Sequence, residues 1–251
     1  MEREAMVEVM CAAAREAGRR MMEIYERGFQ KHAKADGTPV TEADLAAEAV
    51  ILERLAVFRD IPVVSEENAA SHAIAPPERF FLVDPLDGTK EFVNRNGEFT
   101  VNIALIEHGV PTLGVVLAPA KDALYWVSEA GGAFEERDGT RRAIAARTPP
   151  AEGLTAAVSR SHLDPDTTRY LEGFRIAHEV SAGSSLKFCL IARGDADIYP
   201  RFGRTMEWDT AAGDAVLRAA GGRMLTPDGE VFRYGKEGFR NGFYIAFGRP
   251  A

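Results

Sequence analysis

An apolar run that ends in two closely spaced acids constrains this chain more than any other feature of its sequence. Residues 80–89 read Phe-Phe-Leu-Val-Asp-Pro-Leu-Asp-Gly-Thr. A buried strand that ends in Asp84 and Asp87 is costly, because buried carboxylates must be paired, hydrogen-bonded or bound to a cation. Gly88 and Thr89 offer backbone N–H groups where a helix can begin, and helix N-termini favour phosphate. Metal and phosphate together indicate phosphoryl chemistry.

The spacing of the two acids predicts a bend in the strand. Asp84 and Asp87 would point to opposite faces of a regular strand, because side chains alternate with a period of two. A bend at Pro85 would bring them together and present the Leu86 carbonyl as a further oxygen ligand. Oxygen ligands alone suit hard cations such as Mg²⁺. Covalent aspartyl phosphatases of the haloacid dehalogenase type have one residue between their two aspartates, whereas this chain has two.

Further acids follow turn or strand-end signals elsewhere in the chain. Asp44 lies three residues after Thr41, Glu66 and Glu67 follow a short apolar run, and Asp209 precedes a helical pattern. Each also has an ordinary structural interpretation, as a capping-box residue, a solvated loop or an N-cap. If Glu66 and Asp209 join the first two acids, the site carries enough negative charge for two or three Mg²⁺ ions.

Hydrophobic periodicity divides the chain near residue 150. Residues 1–150 predict an α+β half with an antiparallel meander sheet between helices, and residues 151–251 an α/β half with a mixed sheet and helices. The predicted helices are 3–26, 45–58, 184–193 and 210–220. The predicted strands are 62–65, 80–83, 101–106, 113–118, 123–128, 132–136, 155–159, 196–200 and 243–247.

Charge and cysteine content exclude several function classes. The net charge is -8, from 38 acidic and 30 basic residues, which argues against a nucleic-acid polymer or an anionic membrane as partner. No apolar run reaches the roughly 18 residues of a membrane span, so stable membrane insertion is not expected. Cys11 and Cys189 lack zinc-ligand spacing and indicate a reducing compartment. With no signal-peptide pattern at Met1, a cytoplasmic protein is expected, and peripheral contact with the inner membrane stays open.

Four separated motifs resemble the inositol monophosphatase superfamily of Mg²⁺-dependent, lithium-sensitive phosphatases, in that family's order. The motifs are DGTPVTEAD at 36–44, VSEE at 64–67, LVDPLDGT at 82–89 and WDTAAG at 208–213. Residues 90–104 are similar to the CysQ-type branch of 3'(2'),5'-bisphosphate nucleotidases. The resemblance implies a layered αβαβα sandwich of the sugar-phosphatase type.

The resemblance also implies roles for individual residues. The implied metal ligands are Glu66, Asp84, the Leu86 carbonyl, Asp87 and Asp209. The implied catalytic residues are Thr89, polarised by Asp44, and Glu66, which together activate the attacking water; Glu67 has a supporting role. The implied substrate contacts are Asp87, Gly88, Thr89, Ser184, Lys187, Arg201 and Asp209.

Substrate choice is assigned to the second half of the chain. Ser184 and Lys187 are predicted on one face of a helix, and Arg201 follows a predicted strand. By resemblance these three contact the phosphate and sugar of a nucleotide; alternatively, the two cations are surface charges. Ser161 and His162 are weaker candidates for contacting the base or ribose.

The expected reaction is hydrolysis of the 3'-phosphate of adenosine 3',5'-bisphosphate (PAP) to AMP and phosphate, with PAPS as a further substrate, in nucleotide recycling for sulfur assimilation. Attack is expected to be direct and in line, without a covalent enzyme intermediate. Within the superfamily, inositol monophosphate or a sugar bisphosphate stays open as substrate. A non-catalytic, metal-dependent nucleotide sensor is the alternative from another class. The sequence leaves open whether the protein is a monomer or a homodimer.

Overall fold

The computed structural model describes residues 2–33, 39–161 and 164–250. Residues 36–38 of the first motif and the candidate His162 lie outside the described residues. The described helices are α1 (Glu2–Arg27), α2 (Glu42–Leu55), α3 (Thr89–Val93), α4 (Pro165–Leu171), α5 (Leu186–Ala192) and α6 (Glu207–Ala219). Two short strands, β1 (Lys31–Ala33) and β2 (Pro39–Thr41), form an antiparallel pair before α2.

A large sheet is built from the first half of the chain. Its strands are β3 (Val63–Ser65), β4 (Arg79–Asp87), β5 (Thr100–Glu107), β6 (Val110–Ala118), β7 (Ala123–Val127), β8 (Ala133–Arg137) and β9 (Thr140–Ile144), in sequential order. β3 pairs with β4 in parallel, and every later pair is antiparallel. The predicted antiparallel meander is therefore confirmed. The sequence did not predict β9, because its side chains are largely exposed and carry no apolar alternation.

A smaller, mixed sheet is built from the second half. Its strands are β10 (Leu154–Ser159), β11 (Ile176–Ala182), β12 (Ile198–Arg201), β13 (Arg223–Leu225) and β14 (Tyr244–Phe247). The spatial order is β11-β10-β12-β14-β13, parallel from β11 to β12 and antiparallel from β12 to β13. The predicted mixed sheet is confirmed, although the sequence missed β11, β13 and α4.

The helices and sheets stack in five layers. α1 and α2 pack on one face of the large sheet, while α6, with α5 beside it, lies between the two sheets and α4 contacts β12. Gly114 and Leu117 of β6 lie on opposite faces, because side chains alternate along a strand. A Cβ on Gly114 would lie 2.5 Å from the Ala212 carbonyl of α6, and Leu117 contacts Gly18 of α1. The expected αβαβα arrangement is thus confirmed.

The connection between the two sheets contains the proposed division near residue 150. β9 ends at Ile144 and β10 begins at Leu154, and the division of the chain into two halves between them stays a prediction. The main apolar core is nevertheless continuous and includes side chains from both halves. Of the described helices, none combines the length and the apolar character needed to cross a membrane.

Candidate active site

The predicted bend in β4 is present between the two acids of the central motif. Asp84 pairs with Asn102 and Asp87 pairs with Thr100, so three steps along β4 oppose two steps along β5. One extra residue in a strand is a β-bulge, which bends the strand and redirects its side chains. The Leu86 N–H donates to Asp84 Oδ1 at 3.0 Å. Both aspartates consequently line one pocket, as the sequence predicts.

Three carboxylates from distant segments meet in this pocket. Oxygens of Glu66, Asp84 and Asp209 all lie within 4.8 Å of one another, and we call these three residues the acidic cluster. Glu66 directly follows β3, and its N–H donates to the Val83 carbonyl of β4 at 3.1 Å. Asp84 is 1% exposed. The pairing of β3 with β4 and the position of α6 thus bring together the side chains predicted to bind metal.

Burial and repulsion from neighbouring acids disfavour negative charge on Asp84 and Asp209. Burial raises the pKa of Asp84 well above its ordinary value, and the neighbouring Glu66, Asp87 and Asp209 raise it further. Burial likewise raises the pKa of Asp209, as do Asp87 and Glu66. Such a cluster is strongly stabilised by a bound cation, because the cation compensates charges that the protein leaves in mutual repulsion.

Asp209 also holds the start of α6. The N-cap interpretation of Asp209 is wrong, since α6 begins at Glu207 and Met206 is the N-cap residue. Asp209 lies within the first turn and its Oδ2 accepts the Met206 N–H at 2.8 Å. The helix fixes one carboxylate oxygen in this way and directs the carboxylate to the acidic cluster.

Asp87 lies beside the acidic cluster in the same pocket. Burial raises the pKa of Asp87 to about 6, opposed by the positive charge of Lys187 and a backbone hydrogen bond from Ser185. Asn102 Nδ2 donates to Asp87 Oδ2 at 3.4 Å. The metal-ligand role of Asp87 stays a prediction, and so does that of the Leu86 carbonyl.

Asp44 makes both of the interactions that the sequence offered as alternatives. Its Oδ2 completes the capping box of α2 by accepting the Thr41 N–H and hydroxyl, each at 2.7 Å. Its Oδ1 accepts the Thr89 hydroxyl at 3.4 Å. Burial raises the pKa of Asp44. Asp44 lies behind Thr89, which itself lines the pocket.

Gly88 lets the chain turn from β4 into α3. Its φ of 91° lies in the left-handed region that disfavours other residues. A Cβ here would lie 3.2 Å from Glu91 Oε2 and 3.4 Å from Ser184 Cβ. Gly88 is therefore favoured by the left-handed turn, and a side chain here would also crowd the Glu91 carboxylate.

The predicted substrate residues from the second half line the same pocket. Lys187 and Arg201 are 3% and 8% exposed, so the alternative of two surface charges is wrong. Ser184 and Lys187 do not share a helix face as predicted, because α5 begins at Leu186 and Ser184 has a left-handed φ of 50°. Instead Lys187 Nζ donates to the Ser184 carbonyl at 2.6 Å.

The pocket has a volume of about 250 Å³. Pocket-lining residues that the sequence did not assign to it are Lys90, Glu91, Ser159, Phe188, Tyr199, Arg204, Thr205 and Tyr244. Lys90 and Glu91 lie in the family-like stretch 90–104, which could have indicated them. Tyr199 and Tyr244 come from β12 and β14, and only the pairing of those strands brings them together. Of the weaker candidates, Ser161 donates to Glu91 Oε1 at 2.6 Å.

An acidic cluster that contains the buried Asp84 shares one pocket with two buried cations, which defines an enzyme pocket suited to a cationic cofactor and an anionic substrate. The chain belongs to the inositol monophosphatase family, whose family model matches residues 2–245. Phosphatases of this family depend on metal ions, in agreement with the acidic cluster.

Relatives with full-length similarity narrow this classification. The chain is 47% identical over 246 residues to the 3'(2'),5'-bisphosphate nucleotidase CysQ of Salmonella typhimurium, covering 96% of this chain and 99% of the relative. The crystal structure of CysQ from Bacteroides thetaiotaomicron is similar with a TM-score of 0.84 and 37% identity, covering 98% of both chains. The extragenic suppressor protein suhB of Bartonella henselae is similar with a TM-score of 0.78 and 27% identity, covering 97% of this chain and 94% of that one.

Proposed function

We propose that this chain is a Mg²⁺-dependent 3'(2'),5'-bisphosphate nucleotidase that hydrolyses the 3'-phosphate of PAP to AMP and phosphate. One observation carries the proposal: a single pocket joins the carboxylates of Glu66, Asp84 and Asp209 to the buried cations Lys187 and Arg201. A metal site serves the phosphate that is cleaved, and two separate cations suit a second phosphate. The similarity to CysQ nucleotidases supports the same substrate class.

The residues present fit magnesium. The candidate ligands are oxygen donors only, which is the preference of a hard cation. Glu66, Asp84 and Asp209 would hold the metal, with Asp87 and the Leu86 carbonyl completing a site for two or three ions. When bound, Mg²⁺ supplies Lewis-acid activation of water and stabilises the charge on the leaving oxygen.

Thr89 and Asp44 orient the proton transfer. Because Thr89 donates its hydroxyl hydrogen to Asp44 Oδ1, the lone pairs of Thr89 Oγ1 are left to accept a hydrogen bond from the attacking water. The second oxygen of Asp44 is held by Thr41, so the carboxylate cannot rotate away without breaking the α2 cap. The water proton passes either to Glu66 or to Thr89, and in the second case Thr89 gives its own hydroxyl hydrogen to Asp44 Oδ1.

The two phosphates of the substrate would bind to different groups that line the same pocket. We assign the phosphate that is cleaved to the backbone N–H groups of Gly88 and Thr89 and to the metal site. We assign the second phosphate to Ser184, Lys187 and Arg201. Lys187 Nζ donates to the Ala182 and Ser184 carbonyls. A lysine ammonium has three donors, so the third would donate to a phosphate oxygen.

The proposal also includes a second substrate and a cellular location. PAPS, whose 3'-phosphate matches that of PAP, would be a second substrate. The two cysteines are free thiols, which supports a cytoplasmic location.

A substrate panel tests the proposal. Phosphate release is measured with Mg²⁺ for PAP, myo-inositol 1-phosphate and fructose 1,6-bisphosphate, each with an EDTA control. The highest kcat/KM is expected for PAP, with no turnover in EDTA. A higher kcat/KM for the inositol or sugar phosphate would contradict the assignment, and tight PAP binding without phosphate release would identify a sensor.

A further inference from the structure

One wall of the pocket is held in place by residues that do not contact the proposed substrate. We call residues 182–187 the substrate wall, because they contain Ser184 and Lys187. The wall belongs to the second half of the chain and runs from the last residue of β11 to the first two residues of α5. The residues that hold it come mainly from stretch 90–104 of the first half.

An ion pair between the two halves contacts the wall at its beginning. Arg160 donates to Glu98 through Nε to Oε2 at 2.6 Å and through Nη2 to Oε1 at 2.9 Å. Glu98 Oε2 also accepts the Gly183 N–H at 2.8 Å, and Arg160 Nη2 donates to the Ser181 carbonyl at 2.7 Å. The Glu98–Arg160 pair therefore forms hydrogen bonds with the backbone on both sides of Ala182, at Ser181 and Gly183.

Tight packing leaves no space for the wall to shift toward the first half. A Cβ on Gly183 would lie 2.6 Å from Glu91 Cγ and 2.7 Å from the Glu98 carbonyl. Ser184 next to it has a left-handed φ of 50°. A residue other than glycine keeps such a conformation only where its surroundings hold it, because the conformation itself is unfavourable.

The far end of the wall is anchored independently. Ser185 Oγ donates to Asn102 Oδ1 at 2.7 Å and lies 2.8 Å from Thr100 Oγ1. Ser185 also supplies the backbone hydrogen bond to Asp87. Loss of the Glu98–Arg160 pair would therefore loosen residues 182–184 while the contact with Asp87 remains.

We propose that Glu98 and Arg160 are positioning residues that hold the substrate wall so that Ser184 and Lys187 meet the second phosphate of the substrate. Lys187 depends on this placement, because its Nζ donates to the carbonyls of Ala182 and Ser184. The pair acts on binding of the bisphosphate rather than on the chemical step, since it lies outside the acidic cluster. The inference rests on the proposed nucleotidase function and explains how stretch 90–104 contributes to substrate choice.

Kinetics with two substrates test the role of the pair. Arg160→Met keeps most of the side-chain volume and removes the charge, and 3'-AMP offers the phosphate that is cleaved without a second one. Arg160→Met should raise KM for PAP about tenfold, roughly 1.4 kcal/mol, while leaving kcat and the KM for 3'-AMP within about twofold. Arg160→Lys should recover part of the loss, because it keeps one charge but not the bidentate geometry.

Variants of the partner residue provide a coupling measurement. Glu98→Ala removes the contacts with Arg160 and with the Gly183 N–H, whereas Glu98→Gln retains an acceptor for that N–H. Glu98→Ala should equal or exceed the effect of Arg160→Met, and the double variant should add little to it. The matched control is Arg169→Met, which removes an exposed ion pair with Asp166 on α4 and should change neither substrate's kinetics.

Amide hydrogen exchange of the substrate-free protein gives a readout that does not depend on activity. Peptides that cover 182–187 should exchange faster in Arg160→Met and Glu98→Ala than in the native protein or Arg169→Met, at an unchanged melting temperature. A native ratio of KM values for PAP and 3'-AMP in Arg160→Met, or unchanged exchange, would overturn the inference. If native protein fails to hydrolyse PAP, the proposed function is wrong, and exchange still decides whether the pair holds the wall.

Discussion

The substitution Asp87→Asn should stabilise the metal-free protein while it abolishes Mg²⁺-dependent turnover. In the metal-free protein Asp87 is a carboxylate whose pKa is raised by burial to about 6, compared with an ordinary value of 3.8. The native state therefore binds this proton more tightly than the unfolded chain does. At neutral pH the ionised form costs stability, and a neutral amide of the same shape avoids that cost.

The magnitude follows from the difference between the two pKa values. At 1.36 kcal/mol per pKa unit, the gap between about 6 and 3.8 corresponds to about 3 kcal/mol, which is an upper value because Asn also loses attraction to Lys187. Since the folded-state pKa of Asp87 is the higher one, native protein gains stability as pH falls through 6 toward 4. The gain in the free energy of unfolding from Asp87→Asn should therefore be largest above pH 7 and smaller at pH 5.

Urea unfolding in EDTA at pH 7.5 and pH 5 measures this effect. The control is Asp166→Asn on α4, which neutralises an exposed carboxylate and should shift the free energy of unfolding by no more than about 0.5 kcal/mol. Phosphate release with Mg²⁺ is measured on the same samples. A destabilised Asp87→Asn at both pH values would contradict the raised pKa of Asp87, and near-normal turnover in the variant would contradict its role as a metal ligand.

Substitutions at four further residues test separate parts of the site. Thr89→Ala should lower kcat about 100-fold or more without a large change in KM, whereas Thr89→Ser keeps the hydroxyl that contacts Asp44 and should retain most activity in the same assay. Lys187→Ala and Arg201→Ala should each raise KM for PAP about tenfold or more but spare 3'-AMP, and equal losses for both substrates would contradict their assignment to the second phosphate. Gly88→Ala should lower the free energy of unfolding by about 1 kcal/mol or more because of its φ of 91°; unchanged urea unfolding would argue against this turn.

The central motif was predictable because its constraints are local. The alternation of side chains along a strand requires a bend if Asp84 and Asp87 are to converge, and the β4 bulge provides it. The antiparallel meander was predictable for a similar reason, since short turns separate apolar strands. In contrast, β9 and β11 have largely exposed side chains, so no apolar pattern marked them.

Other features of the site depend on contacts that the sequence does not reveal. A capping pattern at Thr41 and Asp44 does not show that Oδ1 of Asp44 contacts Thr89. The burial of Lys187 depends on packing between the two sheets. Glu98 and Gly183, which are joined by a hydrogen bond, lie 85 residues apart in the sequence. Resemblance to a family implied the contact between Thr89 and Asp44, whereas the hydrogen-bond partners of Lys187 and Glu98 became clear only from the structure.

Crystals grown with Mn²⁺, a cation that shares the oxygen preference of Mg²⁺, test the central claim most directly. Anomalous difference density is expected between the carboxylates of Glu66, Asp84 and Asp209, together with its loss from that position in Asp84→Asn crystals. Density elsewhere with none at this cluster, at Mn²⁺ concentrations that support turnover, would contradict the account.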